Sequence, residues 1–64
     1  MYYVLHRPRG TDKPWLELPG FRSRKDARTA LTTLVAQRDT DGKRLCDAKL
    51  CVGKGRDRRD IVIL

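Results

Sequence analysis

Apolar positions along this chain recur with two different periods, and the changes of period mark its elements. The opening YYVLHR, residues 2–7, is aromatic and β-branched and reads as a strand. RPRGTDKP, residues 7–14, then places proline, glycine and aspartate where a long exposed connection needs them. In WLELP, residues 15–19, Leu16 and Leu18 share one face while Trp15 and Glu17 share the other, the alternation of a half-buried strand. From residue 23 the period lengthens. In SRKDARTALTTLVAQRD, residues 23–39, Ala27, Ala30, Leu31, Leu34 and Val35 fall at i, i+3, i+4, i+7 and i+8, which is one stripe of an amphipathic helix. Ser23 is its expected N-cap and Asp26 the capping-box partner three residues on. DTDGK ends the helix with a turn, and RLCDAKLCV and DIVIL return to strand patterning, with Cys46, Ala48, Leu50 and Val52 on one face.

These segments predict an α+β chain, a single small β-β-α-β-β domain over residues 1–64, with one antiparallel sheet and one helix packed on one face. The last two strands form a hairpin. The expected core is Leu5, Leu16, Leu18, Ala27, Ala30, Leu31, Leu34, Val35, Leu50, Val52, Ile61 and Ile63, with Tyr3 and Phe21 at its margins. The parity of the first strand stays open, since Tyr2 and Val4 compete with Tyr3 and Leu5 for the inner face, and a one-residue slip exchanges them.

Length sharpens this picture. A chain of 64 residues buries only roughly 60% of the surface its unfolded form exposes, so its core is thin and leaves little volume for a water-excluding catalytic pocket. The ending IVIL, residues 61–64, is apolar on both faces. As a terminal strand it offers Val62 and Leu64 and an unpaired edge to a second copy, which makes a homodimer the expected way of covering them; a central position in the sheet is the alternative.

Charge narrows the function further. Fifteen Lys and Arg against eight Asp and Glu give a formal net charge of +7, and arginines outnumber lysines ten to five. The planar guanidinium makes forked contacts to phosphate and carboxylate, so an acidic partner is implied. Residues 43–64 hold seven cations against three anions, +4 of the +7. Within them GKGRDRRD, residues 53–60, presents Lys54, Arg56, Arg58 and Arg59 on a glycine-containing loop, either as a finger for phosphates or as a solvated turn neutralised by Asp57 and Asp60. It lacks the Gly-x4-Gly-Lys-Ser/Thr spacing of a nucleotide-binding P-loop. A second group, Arg22, Arg24, Lys25 and Arg28, crowds the start of the helix, where cations oppose the helix dipole and an anion would be favoured. The outer helix face carries Thr29, Thr32 and Thr33 where a merely solvated face would carry Glu and Lys; with Trp15 they form a candidate surface for a protein partner. Trp15 is also a candidate shield for the edge of the thin core.

Catalytic and metal chemistry find no pattern. The acids are scattered among cations, Ser23 is occupied as a cap, and His6 is remote from Cys46 and Cys51. The two cysteines lie about 16 Å apart along a strand and on opposite faces, beyond disulfide reach, so both read as reduced thiols, one of them buried. The reading is therefore of a non-enzyme without metal or cofactor. With no signal peptide at the start and no membrane-length apolar run, it is placed in the cytoplasm.

The succession of a strand pair, the SRKDARTAL helix with its Ser23, Asp26, Ala27, Ala30, Leu31 pattern, and further strands in one tiny charged domain resembles several small phage-encoded host-takeover proteins, including anti-CRISPR proteins and inhibitors of host RNA polymerase. The resemblance implies action without catalysis, by covering a functional surface of a host machine. Many such proteins are acidic and mimic DNA; a chain of charge +7 is left with an acidic surface or the nucleic acid itself. Two functions are thus expected: a basic module that binds the phosphate backbone of nucleic acid, or an inhibitor or adaptor of a host nucleic-acid-processing protein complex.

Overall fold

The computed structural model describes residues 1–64 as a small α+β domain, one four-stranded antiparallel sheet with one helix on one face. The strands are β1, Tyr2–Pro8; β2, Leu16–Glu17; β3, Cys46–Val52; and β4, Arg59–Ile63; the helix α1, Arg24–Ala36, lies between β2 and β3. The last connection is not a bare loop but holds a 3-10 turn over Gly55–Asp57. In space the strands run β2-β1-β3-β4, so the chain leaves an edge at β2, crosses β1 through the helix and returns as β3. That order follows from no local pattern.

The helix starts where Ser23 Oγ accepts the Asp26 N–H at 3.4 Å, the extended cap residue satisfying a donor of the first turn. The reciprocal half of the capping box is not formed. An aspartate is one methylene shorter than the glutamate that usually reaches back to the cap N–H. At the other end Gln37 N–H reaches Leu34 O at 3.3 Å and Arg38 Nη1 donates to Val35 O at 2.7 Å, so a cation occupies the helix C-terminus.

The core sits between α1 and the two central strands, with Val4, Ala48 and Leu50 facing Ala27 and Leu31. Pairing of Val4 with Leu50 and of Tyr2 with Val52 sets the parity of β1, putting Val4 under the helix while Tyr3 and Leu5 face the other side. This corrects the preferred placement of Leu5 in the helix-side core. Leu5 and Tyr3 are nevertheless buried, because β1 is central and covered on both faces.

Two further core expectations are corrected. The helix packs over β1 and β3 only, so Leu16, on the edge strand, is left 58% exposed while Leu18 leans on the core. In β4 a bulge intervenes: Leu50 opposes Val62 and Cys51 opposes Asp60, leaving Ile61 as the extra residue. Ile61 and Val62 therefore both pack against the core, and Ile63 is turned out at 69% exposure. β4 lies at the sheet edge, and the apolar residues exposed there are Ile63 and Leu64, not Val62 and Leu64.

Candidate nucleic-acid interface

A row of paired residues, Phe21, Tyr2, Val52 and Arg59, runs across one end of the sheet. Tyr2 N–H meets Phe21 O and Phe21 N–H meets Tyr2 O, each at 2.8 Å, so the chain is pinned at this end just before Ser23 begins the helix. The connection from β3 to β4 turns back at the same end. One cation from each of the two basic groups is thereby brought to the same place. Arg24 from the first turn of α1 and Arg59 from β4 line one shallow cleft with Tyr2, Val52, Asp60 and Ile61. Around the helix from Arg24, Lys25 and Arg28 line a second depression with Thr29, Thr32 and Thr33.

The loop tip divides the four cations expected there. Lys54 and Arg56 are exposed around the 3-10 turn, and Arg59 is exposed at the start of β4. Arg58 is withdrawn onto the opposite side of the sheet: its guanidinium lies 4.6 Å from the Tyr3 ring centroid, its Nη1 is 2.6 Å from Glu17 Oε1 and its Nε donates to Gly53 O at 3.4 Å. It clasps the connection to the sheet. Gly53 makes that connection possible, with φ +93 and a position where a Cβ would lie 2.8 Å from the Asp57 carbonyl oxygen.

None of Arg22, Arg24, Lys25, Arg28, Lys54, Arg56 and Arg59 forms an ion pair. On the face of the sheet away from the helix the cations are engaged instead. Arg7 and Lys49 lie 4.3 and 4.8 Å from the Trp15 ring centroid, and Lys49 Nζ is 3.6 Å from Asp60 Oδ1. The charged heads and Trp15 together cover Leu5, Tyr3 and Cys51, which this side of a thin sheet would otherwise expose. Asp60 Oδ1 also accepts from Cys51 Sγ at 3.1 Å, and that hydrogen bond holds the Asp60 carboxyl below its ordinary range. Burial pushes the Cys51 thiol up to about 11.

Trp15 and the threonines therefore lie on opposite sides of the sheet. The single partner surface that joined them in the sequence reading is divided in two. The threonine hydroxyls are also committed: Thr29 donates to Lys25 O at 3.0 Å, Thr32 to Arg28 O at 2.9 Å and Thr33 to Thr29 O at 3.0 Å. With the protons turned back into the helix, the strip offers acceptor lone pairs and methyl groups, and only Lys25 and Arg28 remain to donate to an anion.

Both cysteines are free and buried, where the sequence suggested burial for one; they lie on opposite faces, Cys46 Sγ pointing at Leu34 O at 3.5 Å. No three His, Cys, Asp or Glu side chains converge as a metal site. No helix is long and apolar enough to cross a membrane. One cluster escaped sequence reasoning. Arg9, Asp39, Lys43 and Arg44 line a cleft near the C-terminal end of α1. Adjacent Lys43 and Arg44 were a visible signal, but Arg9 joins them only through the pairing of Arg9 N–H with Leu45 O at 3.1 Å. No family model, curated protein or solved structure matches the chain.

Proposed function

We propose that this protein is a non-catalytic binder of nucleic acid that grips the phosphate backbone through the basic end formed by the helix start and the β3–β4 connection. The observation that carries the reading is the convergence of Arg24 and Arg59 on one cleft, with neither guanidinium paired to an acid. Arg22, Lys25 and Arg28 at the helix start and Lys54 and Arg56 on the β3–β4 connection add further cations without ion pairs. Forked guanidinium donors match phosphate oxygens, and contacts of this kind position a protein on a strand without reading its bases. Arg58 belongs to the scaffold in this scheme. Binding is expected to tolerate sequence and to weaken steeply with salt.

Titration of labelled DNA and RNA oligonucleotides across a salt series, with the double variant Arg24→Glu/Arg59→Glu beside the wild type, tests this. Loss of binding in the double variant with an unchanged melting curve is the expected result. Absence of wild-type binding at low salt removes the reading.

One observation favours a second reading, an inhibitor or adaptor of a host nucleic-acid-processing complex of the anti-CRISPR or polymerase-inhibitor kind. The back-bonded threonines present methyl groups flanked by Lys25 and Arg28, a surface better suited to a protein than to phosphate. Thr29→Glu/Thr33→Glu should abolish capture of such a partner from nuclease-treated lysate and spare a contact centred on Arg24 and Arg59. Loss of all partners after nuclease treatment returns the case to nucleic acid.

A further inference from the structure

We infer that the cleft between Arg24 and Arg59 takes an unpaired nucleotide, so that the protein prefers single-stranded nucleic acid to duplex. This deepens the nucleic-acid reading and rests on it. The cleft differs in chemistry from the other two depressions on the surface, which have no hydrophobic lining residue at all. Here Tyr2, Val52 and Ile61 supply an aromatic and aliphatic lining, and Arg24 and Arg59 supply the charge. Asp60 borders it, but its carboxylate is held by Cys51 Sγ at 3.1 Å and Lys49 Nζ at 3.6 Å. The cleft's anion preference is therefore set by the two arginines.

A phosphate alone has no use for an apolar lining, and a base stacked and paired inside a duplex cannot reach one. An unstacked nucleotide matches both parts. Its base lies against a ring or aliphatic surface while its phosphates meet the forked donors, and such stacking is tolerant of base identity because every base has a π face. Tyr2 is placed for this role. It is half-buried and leans on the core beside Phe21, its bridge partner, so its ring is held in place before any ligand arrives. Its hydroxyl makes no hydrogen bond within the protein. Trp15 and Tyr3, the other obvious stacking candidates, are covered by Arg7, Lys49 and Arg58. Phe21 does not line the cleft, so Tyr2 is the aromatic ring that borders Arg24 and Arg59 there.

The experiment measures fluorescence anisotropy with a labelled single strand and a hairpin duplex of equal phosphate number, in a deoxy and a ribo series, at fixed low salt. A single-strand preference of about tenfold is expected in both series, the size that one stacked base contributes. Tyr2→Leu, which keeps an apolar side chain on the core, should weaken single-strand binding by about tenfold relative to duplex and so erase the preference; Tyr2→Phe should keep it. Melting curves establish that the variants fold. Arg24→Glu/Arg59→Glu should weaken single strand and duplex alike. Equal or tighter binding of the duplex by the wild type overturns this inference and leaves phosphate binding standing. A preference that survives Tyr2→Leu overturns the assignment to this cleft. Failure of both probes to bind at low salt overturns the parent reading and this one with it.

Discussion

Cys51 Sγ donates to Asp60 Oδ1 at 3.1 Å, across the place where the β4 bulge changes the register of the sheet. The bulge inserts Ile61, so the residue opposite Cys51 is a charged acceptor and not the next apolar side chain. Cys51 is fully buried, and its thiol is pushed from 9.0 to about 11 by that burial first and by the Asp60 carboxylate second. The folded state thus holds the proton more tightly than the unfolded chain. Its contribution to stability is complete below pH 9 and is lost as the pH rises from about 9 to about 11. Wild type should lose on the order of 2 kcal/mol more across this window than Cys51→Ala, measured by urea unfolding at successive pH values. Native Cys51 should also resist thiol reagents at pH 8 until the chain unfolds. Equal pH profiles for the two proteins would remove the thiol from the account.

Arg58 and Arg59 are neighbours in opposite settings, one clasped to Tyr3 and Glu17 and the other exposed and unpaired, and substitution should separate them. Arg58→Ala removes the stack on Tyr3 and the pair with Glu17, both partly solvated, and should lower stability by roughly 1 kcal/mol with little effect on nucleic-acid affinity. Arg59→Ala removes an exposed, unpaired cation. It should leave the melting temperature unchanged and flatten the dependence of log Kobs on log salt by about 0.7 for a single strand. Thermal melts and salt titrations of the two variants check both halves. A larger affinity loss for Arg58→Ala would show that the clasp opens on binding.

Leu31 is 1% exposed and stands against Val4, Ala48 and Leu50 in a core with few members. Truncating it to alanine is expected to cost about 2–5 kcal/mol. A domain of this length has only roughly 3–10 kcal/mol in total. Leu31→Ala should therefore be largely unfolded at 37 °C, whereas Leu16→Ala, at an exposed edge position, should melt like wild type. Circular dichroism at 222 nm distinguishes the two.

The β4 edge bears on oligomeric state. Leu64 N–H reaches Ala48 O at 3.0 Å and Ala48 N–H reaches Leu64 O at 3.5 Å, so by antiparallel alternation the backbone of Ile63 points away from β3. Pairing of two such edges remains the expected mode of dimerisation. Sedimentation equilibrium at micromolar concentration should then give a wild-type dimer and an Ile63→Lys monomer. Val62→Lys is unsuited as a probe because Val62 packs on the core. A monomeric wild type, or a dimer indifferent to Ile63→Lys, rules out edge pairing.

Local chemistry by itself determined the elements of this protein. The helix is legible because Ser23 and Asp26 mark its start and because five apolar residues share one stripe; the third strand is legible because Cys46, Ala48 and Leu50 alternate with Asp47 and Lys49. The strong basic charge and the identity of most unpaired cations were equally visible. Tertiary structure decided the rest. The parity of β1 could not be read because its residues are apolar on both sides, and only pairing with β3 chose Val4 over Leu5. The bulge that exchanged Ile63 for Val62 in the core depends on register across strands, which the two-residue period of β4 does not encode. The same holds for the site. Arginine is arginine in the sequence, but whether it meets Tyr3 and Glu17, as Arg58 does, or stands open beside Tyr2, as Arg59 does, depends on which strands lie side by side. Long-range pairing alone joined Arg24 to Arg59, whereas the alternation in WLELP had already turned Trp15 away from the helix that carries the threonines.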